Sequence, residues 1–117
     1  MRLNSAYICV KNMNRAIDFY QKFLGKRVTV RDDIFSIFDF HGFRLCLFNN
    51  SKVGEKVIYG DNCLLSFEVK DAEKLKNKLV REGIKIVYPI TKLGKNLVFE
   101  FKDSEGNDVE VYNNFKR

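Results

Sequence analysis

Two strand-like runs, 64 residues apart, place chemically capable side chains at alternate positions. These side chains are Arg44, Cys46 and Phe48 in the first run and Asp108, Glu110 and Tyr112 in the second. Residues two apart lie on one face of a strand, so each trio shares a surface. A carboxylate in a dry cleft has a raised pKa and can act as a general base. Glu110 is therefore the candidate catalytic residue; the competing interpretation is a binding contact, hydrogen-bonded to Tyr7 or Ser5.

Two further runs, residues 3–10 and 63–69, also alternate and supply the same kind of surface. One face carries Ser5, Tyr7 and Cys9 in the first run, and Leu64, Ser66 and Glu68 in the second. The opposite faces are apolar, as faces covered by a helix should be. Glu100 is expected on the open side as well. The predicted ligand-binding residues are Tyr7, Cys9, Arg44, Cys46, Phe48, Ser66, Glu68 and Tyr112.

The elements that position these residues come from a duplication. Residues 39–49 return as 103–113, and Val-Lys-Asn at 10–12 returns as Val-Lys-Asp at 69–71. Self-similarity at such a spacing indicates two copies of one supersecondary unit. In each copy a capping side chain (Asn12 or Asn14, then Asp71) precedes an amphipathic segment that ends at a glycine.

The pattern predicts the order β-α-β-β-β twice, hence eight strands and two helices in an α+β fold. Residues 28–30 are predicted to form a strand, and Pro89 is placed in a hairpin loop. The expected organisation is a single domain, 1–117, with module one at 1–49, a linker at 50–62 and module two at 63–117. The sheets are expected to be curved and mostly antiparallel, and such sheets can leave one face uncovered by a helix. The uncovered faces of the two modules can then enclose a cleft suited to a small ligand. The linker is a candidate flap over that cleft.

Composition narrows the function classes. The chain has 117 residues, 45% of them hydrophobic, and a formal charge of +6. Residues 1–60 hold ten Lys/Arg against five Asp/Glu, but these charges are scattered singly, which does not favour nucleic-acid binding. The odd count of three cysteines, without metal-ligand spacing, indicates reduced thiols. No segment suits a membrane span or a signal peptide, so we expect a cytoplasmic protein.

Two motifs carry a family resemblance. The first is the strand end at 10–12 followed by a helix with Asp-Phe-Tyr at 18–20 and Phe-Leu-Gly at 23–25. The second is the Asp-Ser-Glu-Gly-Asn turn at 103–107, followed by Val-Glu-Val at 109–111. In this order, within a duplicated chain, they resemble the vicinal oxygen chelate superfamily of glyoxalase I, bleomycin-resistance proteins, fosfomycin-resistance enzymes and extradiol dioxygenases. The family's usual turn has a proline and a second aspartate where this chain has serine and glutamate.

The resemblance implies a metal site whose usual ligands are missing. Metal-dependent members use four side chains, typically His and Glu from each module, and the corresponding positions are Ser5, Cys46, Leu64 and Glu110. A catalytic Zn²⁺, Ni²⁺ or Fe²⁺ needs about three protein ligands and a vacant position. Serine is a poor ligand, leucine is none, and the sole histidine, His41, falls in a predicted turn. No cofactor is therefore expected, and a divalent metal held by other ligands is the alternative.

Three functions follow as hypotheses. The first is a metal-free protein, similar to the bleomycin-resistance branch, that binds a small organic molecule in the inter-module cleft. The second is an enzyme, a lyase, isomerase or transferase, in which Glu110 performs the chemistry with or without a metal. The third, nucleic-acid binding, would require steeply salt-dependent affinity. The resemblance also implies a homodimer.

Overall fold

The computed structural model describes residues 1–115, which divide into two compact units, Met1–Cys63 and the residues from 64 onward. Each unit has one α-helix and one mixed sheet, of three strands in the first unit and four in the second. The α+β fold predicted from the duplication is confirmed. Within the described residues, none of the helices combines the length and the apolar character that a membrane crossing requires.

The first unit contains β1 (Ser5–Cys9), α1 (Met13–Leu24), β2 (Phe35–Phe40) and β3 (Phe43–Phe48). Its sheet has the order β1-β3-β2, with β1 parallel and β2 antiparallel to β3. The β2-β3 hairpin turns at His41 and Gly42, which both have positive φ, as a tight two-residue hairpin requires. A single 3₁₀ turn, Asn50–Val53, follows β3.

The predicted strand at residues 28–30 is reduced to one bridge, Val30 to Ile37, so the described residues contain seven strands and not eight. The cause is local. The backbone N–H of Val28 donates to the side chain of Gln21 on α1, at 3.0 Å. It is therefore not available for a hydrogen bond to a neighbouring strand. Just beyond, the Asp32 carboxylate accepts from the backbone of Ile34 and Phe35 and bends the chain into a turn.

The second unit contains β4 (Leu65–Glu68), α2 (Ala72–Arg81), β5 (Ile86–Leu93), β6 (Asn96–Lys102) and β7 (Asp108–Asn114). Its sheet has the order β4-β7-β6-β5. The parallel pair β4-β7 repeats the parallel pair β1-β3, and the antiparallel pair β6-β7 repeats β2-β3. The two sheets therefore share one plan, extended in the second unit by β5.

The placement of Pro89 in a hairpin loop was wrong, because β5 continues through it to Leu93. Proline has no backbone N–H and is tolerated on an edge strand or at a bulge. Strand β5 lies at the sheet edge, and its register with β6 shifts between Tyr88 and Thr91, on either side of the proline. The hairpin turn is thereby shortened to Gly94 and Lys95.

Each helix begins and ends at the predicted signals. The side chain of Asn12 accepts from the backbone N–H of Arg15, and that of Asp71 accepts from Lys74, both at 3.0 Å. Gly25 follows α1 in the left-handed conformation, with φ of 66°. These caps satisfy backbone groups that a helix end leaves without partners. The caps also fix which helix residues turn toward the sheet.

The apolar side of each sheet forms the core of its unit. In the first unit the fully or almost fully buried strand residues include Ile8, Leu45 and Leu47, with Ala16, Ile17 and Tyr20 from α1. In the second they include Phe99, Phe101, Val109 and Val111, with Ala72 and Leu79 from α2. Alternation along the strands therefore directs the intervening side chains, which carry the chemistry, to the other face.

Candidate ligand-binding site

The first open face is the side of the β1-β3-β2 sheet opposite its apolar core. It carries a cluster of three rings, Tyr7, Phe35 and Phe48, which we call the aromatic triad. The ring centroids lie 5.7 to 5.8 Å apart, and Phe35 meets both Tyr7 and Phe48 nearly edge to face. Such edge-on contacts are a favoured geometry for aromatic pairs. Tyr7 nevertheless keeps 52% of its surface exposed, so the triad presents a preformed aromatic surface.

Sequence reasoning singled out Tyr7 and Phe48 but missed Phe35. The signal was present in the hairpin: with a two-residue turn at His41 and Gly42, counting outward pairs Phe35 with Phe48. Cross-strand partners share a face, so Phe35 belongs on the same surface as its partner.

The two predicted thiol contacts of this face are buried. Cys46 is 2% exposed and Cys9 is 8% exposed. Burial raises the pKa of both thiols; the carboxylate of Glu55 raises the pKa of Cys9 further, whereas Arg44 partly offsets the rise for Cys46. Both groups are therefore uncharged thiols near neutral pH, and the reactive thiolate form is disfavoured. Glu55, from the linker, was not foreseen by sequence reasoning.

Arg44 and Ser5 are register partners at one end of the β1-β3 pair. The backbone N–H of Arg44 donates to the carbonyl of Asn4, at 2.9 Å, and the Ser5 hydroxyl donates to the Asn4 side chain, at 3.2 Å. The Arg44 side chain is exposed. This end of the face is polar, whereas the triad end is aromatic.

The second open face is the corresponding side of the β4-β7-β6-β5 sheet. The Ser66 hydroxyl donates a 2.6 Å hydrogen bond to Oε1 of Glu110, its register partner. The sequence-based interpretation gave Glu110 the partner Tyr7 or Ser5; the observed partner is Ser66 because β4 and β7 pair in that register.

Glu100 lies directly opposite Glu110 in the antiparallel β6-β7 pair. Loss of solvation, with smaller contributions from the carboxylates of Asp108 and Glu110, raises the pKa of Glu100. Two carboxyl groups are thus juxtaposed on this face, and one of them holds its proton more tightly than usual. The expectation that Glu100 reaches the open side agrees with this geometry.

Of the other residues predicted on the second open face, Glu68 and Tyr112 lie within strands, and Leu64 lies just outside one. Glu68 pairs with Tyr112, and Tyr112 pairs on its other side with Val98. Glu68 is exposed and Tyr112 half-buried. Leu64 lies just before β4, is 56% exposed and is one of the four positions that the family resemblance aligns with a metal ligand.

The Asp103–Asn107 motif is a structural turn that positions β7. The Asp103 carboxylate accepts from the backbone N–H groups of Glu105 and Asn107, each at 2.8 Å, and from the Asn107 side chain, at 2.9 Å. Asp103 and Asn107 are 6% and 1% exposed. The motif therefore acts indirectly, by fixing the hairpin that sets Glu110 opposite Glu100.

The family's metal does not fit the residues present. Within residues 1–115 no three His, Cys, Asp or Glu side chains lie close enough together to hold a metal ion. Of the four corresponding positions, Leu64 offers no donor atom, the Cys46 thiol is buried and its pKa is raised, and the Glu110 carboxylate is hydrogen-bonded to Ser66. His41 lies at a hairpin turn with φ of 52°.

Comparison with solved structures shows the fold. A glyoxalase-related enzyme from Fulvimarina pelagi is 18% identical, with a TM-score of 0.79 over 97% of this chain and 88% of that one. A protein from Agrobacterium tumefaciens is 20% identical, with a TM-score of 0.84 over 97% of both chains. A glyoxalase/bleomycin resistance protein/dioxygenase family enzyme from Burkholderia phytofirmans PsJN is 18% identical, with a TM-score of 0.78 over 97% of this chain and 99% of that one.

No protein with a curated description matches this chain significantly in sequence. The family model described as Glyoxalase/Bleomycin resistance protein/Dioxygenase superfamily matches residues 2–111, nearly all of the chain and both copies of the repeat. With the duplicated fold and the two motifs in place, the chain belongs to the Glyoxalase/Bleomycin resistance protein/Dioxygenase superfamily.

Proposed function

We propose that this protein binds a small organic molecule, with an aromatic or apolar body and a polar end, in the inter-module cleft that the family resemblance implies. Binding proceeds without the family's metal. The observation that carries the proposal is the aromatic triad. Its rings are held against one another, yet Tyr7 remains half-exposed. Binding sites for small molecules combine such apolar surface with a few placed polar groups.

The polar groups are those of the second open face. Glu110 and Ser66 form a hydrogen-bonded pair, and Glu100 lies opposite Glu110. Exposed Arg44 adds a cationic group on the first face. Cys9, Cys46, Glu68 and Tyr112 remain proposed contacts. This combination supports recognition by shape and hydrogen bonding, for which a metal is not needed.

A fragment screen by protein-observed NMR tests the proposal. The probes are neutral, anionic and cationic benzene derivatives, each titrated into ¹⁵N-labelled full chain. We expect saturable shifts at Tyr7, Phe35 and Phe48 for one charge class above the others. Tyr7→Ala should weaken that binding by roughly tenfold, because an aromatic contact contributes about 1 kcal/mol beyond its buried area.

Phe43→Ala is the matched control. Phe43 is an exposed aromatic residue, 40% accessible, on the same strand as Phe48 but at the opposite parity. Its removal should leave fragment binding unchanged. If no fragment shifts the triad, or if both alanine variants bind equally well, the proposal is wrong.

Catalysis is the second candidate, and the Glu100-Glu110 pair favours it. A carboxyl group with a raised pKa beside a second carboxylate can serve as an acid and base pair. The chain would then act as a lyase, isomerase or transferase, with Glu110 as the general base. The Ser66 hydrogen bond would orient that carboxylate.

Metal analysis separates binding from the family's metal chemistry. Protein purified without an affinity tag is analysed for metals, then assayed with the hemithioacetal of methylglyoxal and glutathione, with and without added Zn²⁺ or Ni²⁺. We expect substoichiometric metal and no metal-dependent turnover. Stoichiometric metal or turnover restored by an ion would favour the enzyme, and Glu110→Gln should then abolish the activity.

A homodimer in the cytoplasm completes the proposal. Dimerisation is proposed from the family resemblance and is checked by light scattering at two protein concentrations. All three cysteines are free thiols, which supports a reducing compartment. A monomeric mass at both concentrations would contradict the dimer.

A further inference from the structure

The start of the linker carries a carboxylate close to the aromatic triad, within the first unit. The 3₁₀ turn Asn50–Val53 begins two residues after Phe48, one of the three rings. The backbone N–H of Glu55 donates to the carbonyl of Asn50, at 3.0 Å, and Nδ2 of Asn50 donates to Oε1 of Glu55, at 3.3 Å. Both the backbone and the side chain of Glu55 are therefore tied to the residue that follows the end of β3 most closely in this turn.

A second observation relates Glu55 to the open face of the sheet. Cys9 is the register partner of Phe48, and it lies two residues from Tyr7, on the same side of β1. Burial and, to a smaller extent, the charge of Glu55 raise the pKa of the Cys9 thiol, so the carboxylate is near this thiol. Glu55 thus lies toward the triad end of the face and not toward the Arg44 end.

Among the described residues the Glu55 carboxylate has no cationic partner. Neither Lys52 nor Lys56, its nearest basic neighbours in sequence, forms an ion pair with it. Arg44 lies at the other end of the β1-β3 pair, four residues or roughly 13 Å along the strand. That separation exceeds the screening length of about 8 Å at physiological ionic strength. A positive charge beside the triad is therefore attracted by Glu55 more strongly than it is repelled by Arg44.

The amide oxygen of Asn50 is a second acceptor at this point. Asn50 is 6% exposed, and its Oδ1 is buried without a hydrogen-bond donor in the part of the chain that the structure describes. Both polar atoms of Asn50 belong to one planar amide, so this oxygen lies beside the Glu55 carboxylate that Nδ2 contacts. Burial of an acceptor without a partner is unfavourable, so a ligand donor that reaches Oδ1 when the turn shifts gains a hydrogen bond.

The triad itself favours a cation. The face of an aromatic ring attracts positive charge, and Tyr7 keeps 52% of its surface exposed. We propose that the polar end of the ligand is an ammonium group, which binds the Glu55 carboxylate and Oδ1 of Asn50 while the apolar body lies on the triad. This inference rests on the proposed small-molecule function and narrows the ligand class to amines.

Three probes of similar shape test the charge of the ligand. They are 2-phenylethylamine, 2-phenylethanol and 3-phenylpropanoate, each titrated at neutral pH into the ¹⁵N-labelled full chain and followed by NMR. We expect the amine to bind roughly tenfold more tightly than the alcohol, as for a charge-assisted contact, and the carboxylate to bind most weakly. The amine alone should shift the side-chain amide of Asn50, and added salt should weaken the binding of the amine but not of the alcohol.

Glu55→Gln keeps an acceptor oxygen for the Asn50 amide but removes the charge. It should lower the affinity for the amine by roughly tenfold, to that of the alcohol, and leave the affinity for the alcohol unchanged. Glu73→Gln, at an exposed position of α2, is the matched control for the loss of one negative charge and should change neither affinity. Because Glu55 is exposed as well, its replacement leaves the core intact, and thermal unfolding of both variants verifies this.

The outcomes separate this inference from the proposed function. If the amine and the alcohol shift the triad with equal affinity, the ammonium assignment is wrong and small-molecule binding stands. Equal affinities for the amine in Glu55→Gln and Glu73→Gln would also overturn the assignment. If none of the three probes shifts Tyr7, Phe35 or Phe48, the inference and the proposed function both fail.

Discussion

The Ser66 hydroxyl donates a 2.6 Å hydrogen bond to Oε1 of Glu110, across the parallel pair of β4 and β7. The repeat places Tyr7 opposite Cys46 at the same two positions of the first unit. The parallel pairs β1-β3 and β4-β7 therefore correspond in the two units but carry different side chains. It carries a polar, hydrogen-bonded pair in the second unit and an aromatic ring beside a buried thiol in the first.

Removal of that hydroxyl tests whether Ser66 positions Glu110 for a ligand. Ser66→Ala should lower the affinity for the best-binding fragment by roughly fivefold, because a net hydrogen bond contributes about 1 kcal/mol. Ser66→Thr retains the hydroxyl and should restore binding, and fragment titrations followed by NMR measure both. A merely structural serine would change thermal stability in Ser66→Ala but leave the affinity unchanged.

Glu100 should make the stability of the protein depend on pH in a defined direction. Its pKa is raised in the folded chain, so the folded state binds the proton more tightly than the unfolded state. The free energy of unfolding should therefore fall as the pH rises from the ordinary glutamate pKa, about 4.3, to the raised value. Above the raised pKa, Glu100 is ionised in the folded chain, and its full unfavourable contribution to the free energy of unfolding is present.

Glu100→Gln removes this contribution and should raise the thermal midpoint at neutral pH, with less effect at pH 4. Asp61→Asn, in an exposed part of the linker, is the control for loss of one negative charge. Thermal unfolding followed by circular dichroism between pH 4 and pH 8 measures the difference. An equal gain from both variants would attribute the effect to net charge rather than to the loss of solvation at Glu100 and its neighbouring carboxylates, Asp108 and Glu110.

The three cysteines should differ in reactivity. The buried thiols Cys9 and Cys46 have raised pKa values, whereas Cys63 is only half-buried. Because the thiolate is the reactive form, labelling by a disulfide reagent at pH 7 should modify Cys63 at least about tenfold faster than the others. Mass spectrometry of peptides from timed samples measures the three rates. Rapid labelling of Cys46 would contradict its assignment as an inert thiol.

Local signals predicted most of the fold. The His41-Gly42 turn fixes the β2-β3 hairpin, and the capping side chains Asn12 and Asp71 start the helices, so each feature is encoded within a few residues. The errors arose at two local features, a side-chain hydrogen bond and a shift in strand register. Gln21 captures the Val28 N–H, and the bulge in β5 accommodates Pro89, and neither is visible in hydrophobic alternation.

The sequence predicts which strand residues lie on the open faces, but it does not predict the hydrogen bonds that those residues make. Strand parity separates Glu110 and Tyr112 from the buried Val109 and Val111, and the burial pattern agrees. The hydrogen bond from Ser66 to Glu110 depends on the register of two strands far apart in sequence. No local pattern specifies such a register; it is set by packing of the core beneath the sheet.

The Asp103 turn gives the largest expected effect on stability. Its buried carboxylate accepts hydrogen bonds from the Glu105 and Asn107 backbone and from the Asn107 side chain. Asp103→Ala should lower the free energy of unfolding by about 3 kcal/mol, because it leaves buried donors without a partner. Asp103→Asn retains one acceptor oxygen and should cost less. Urea denaturation measures both changes, and a cost below about 1 kcal/mol for Asp103→Ala would show that the motif is not the structural anchor of the β6-β7 hairpin.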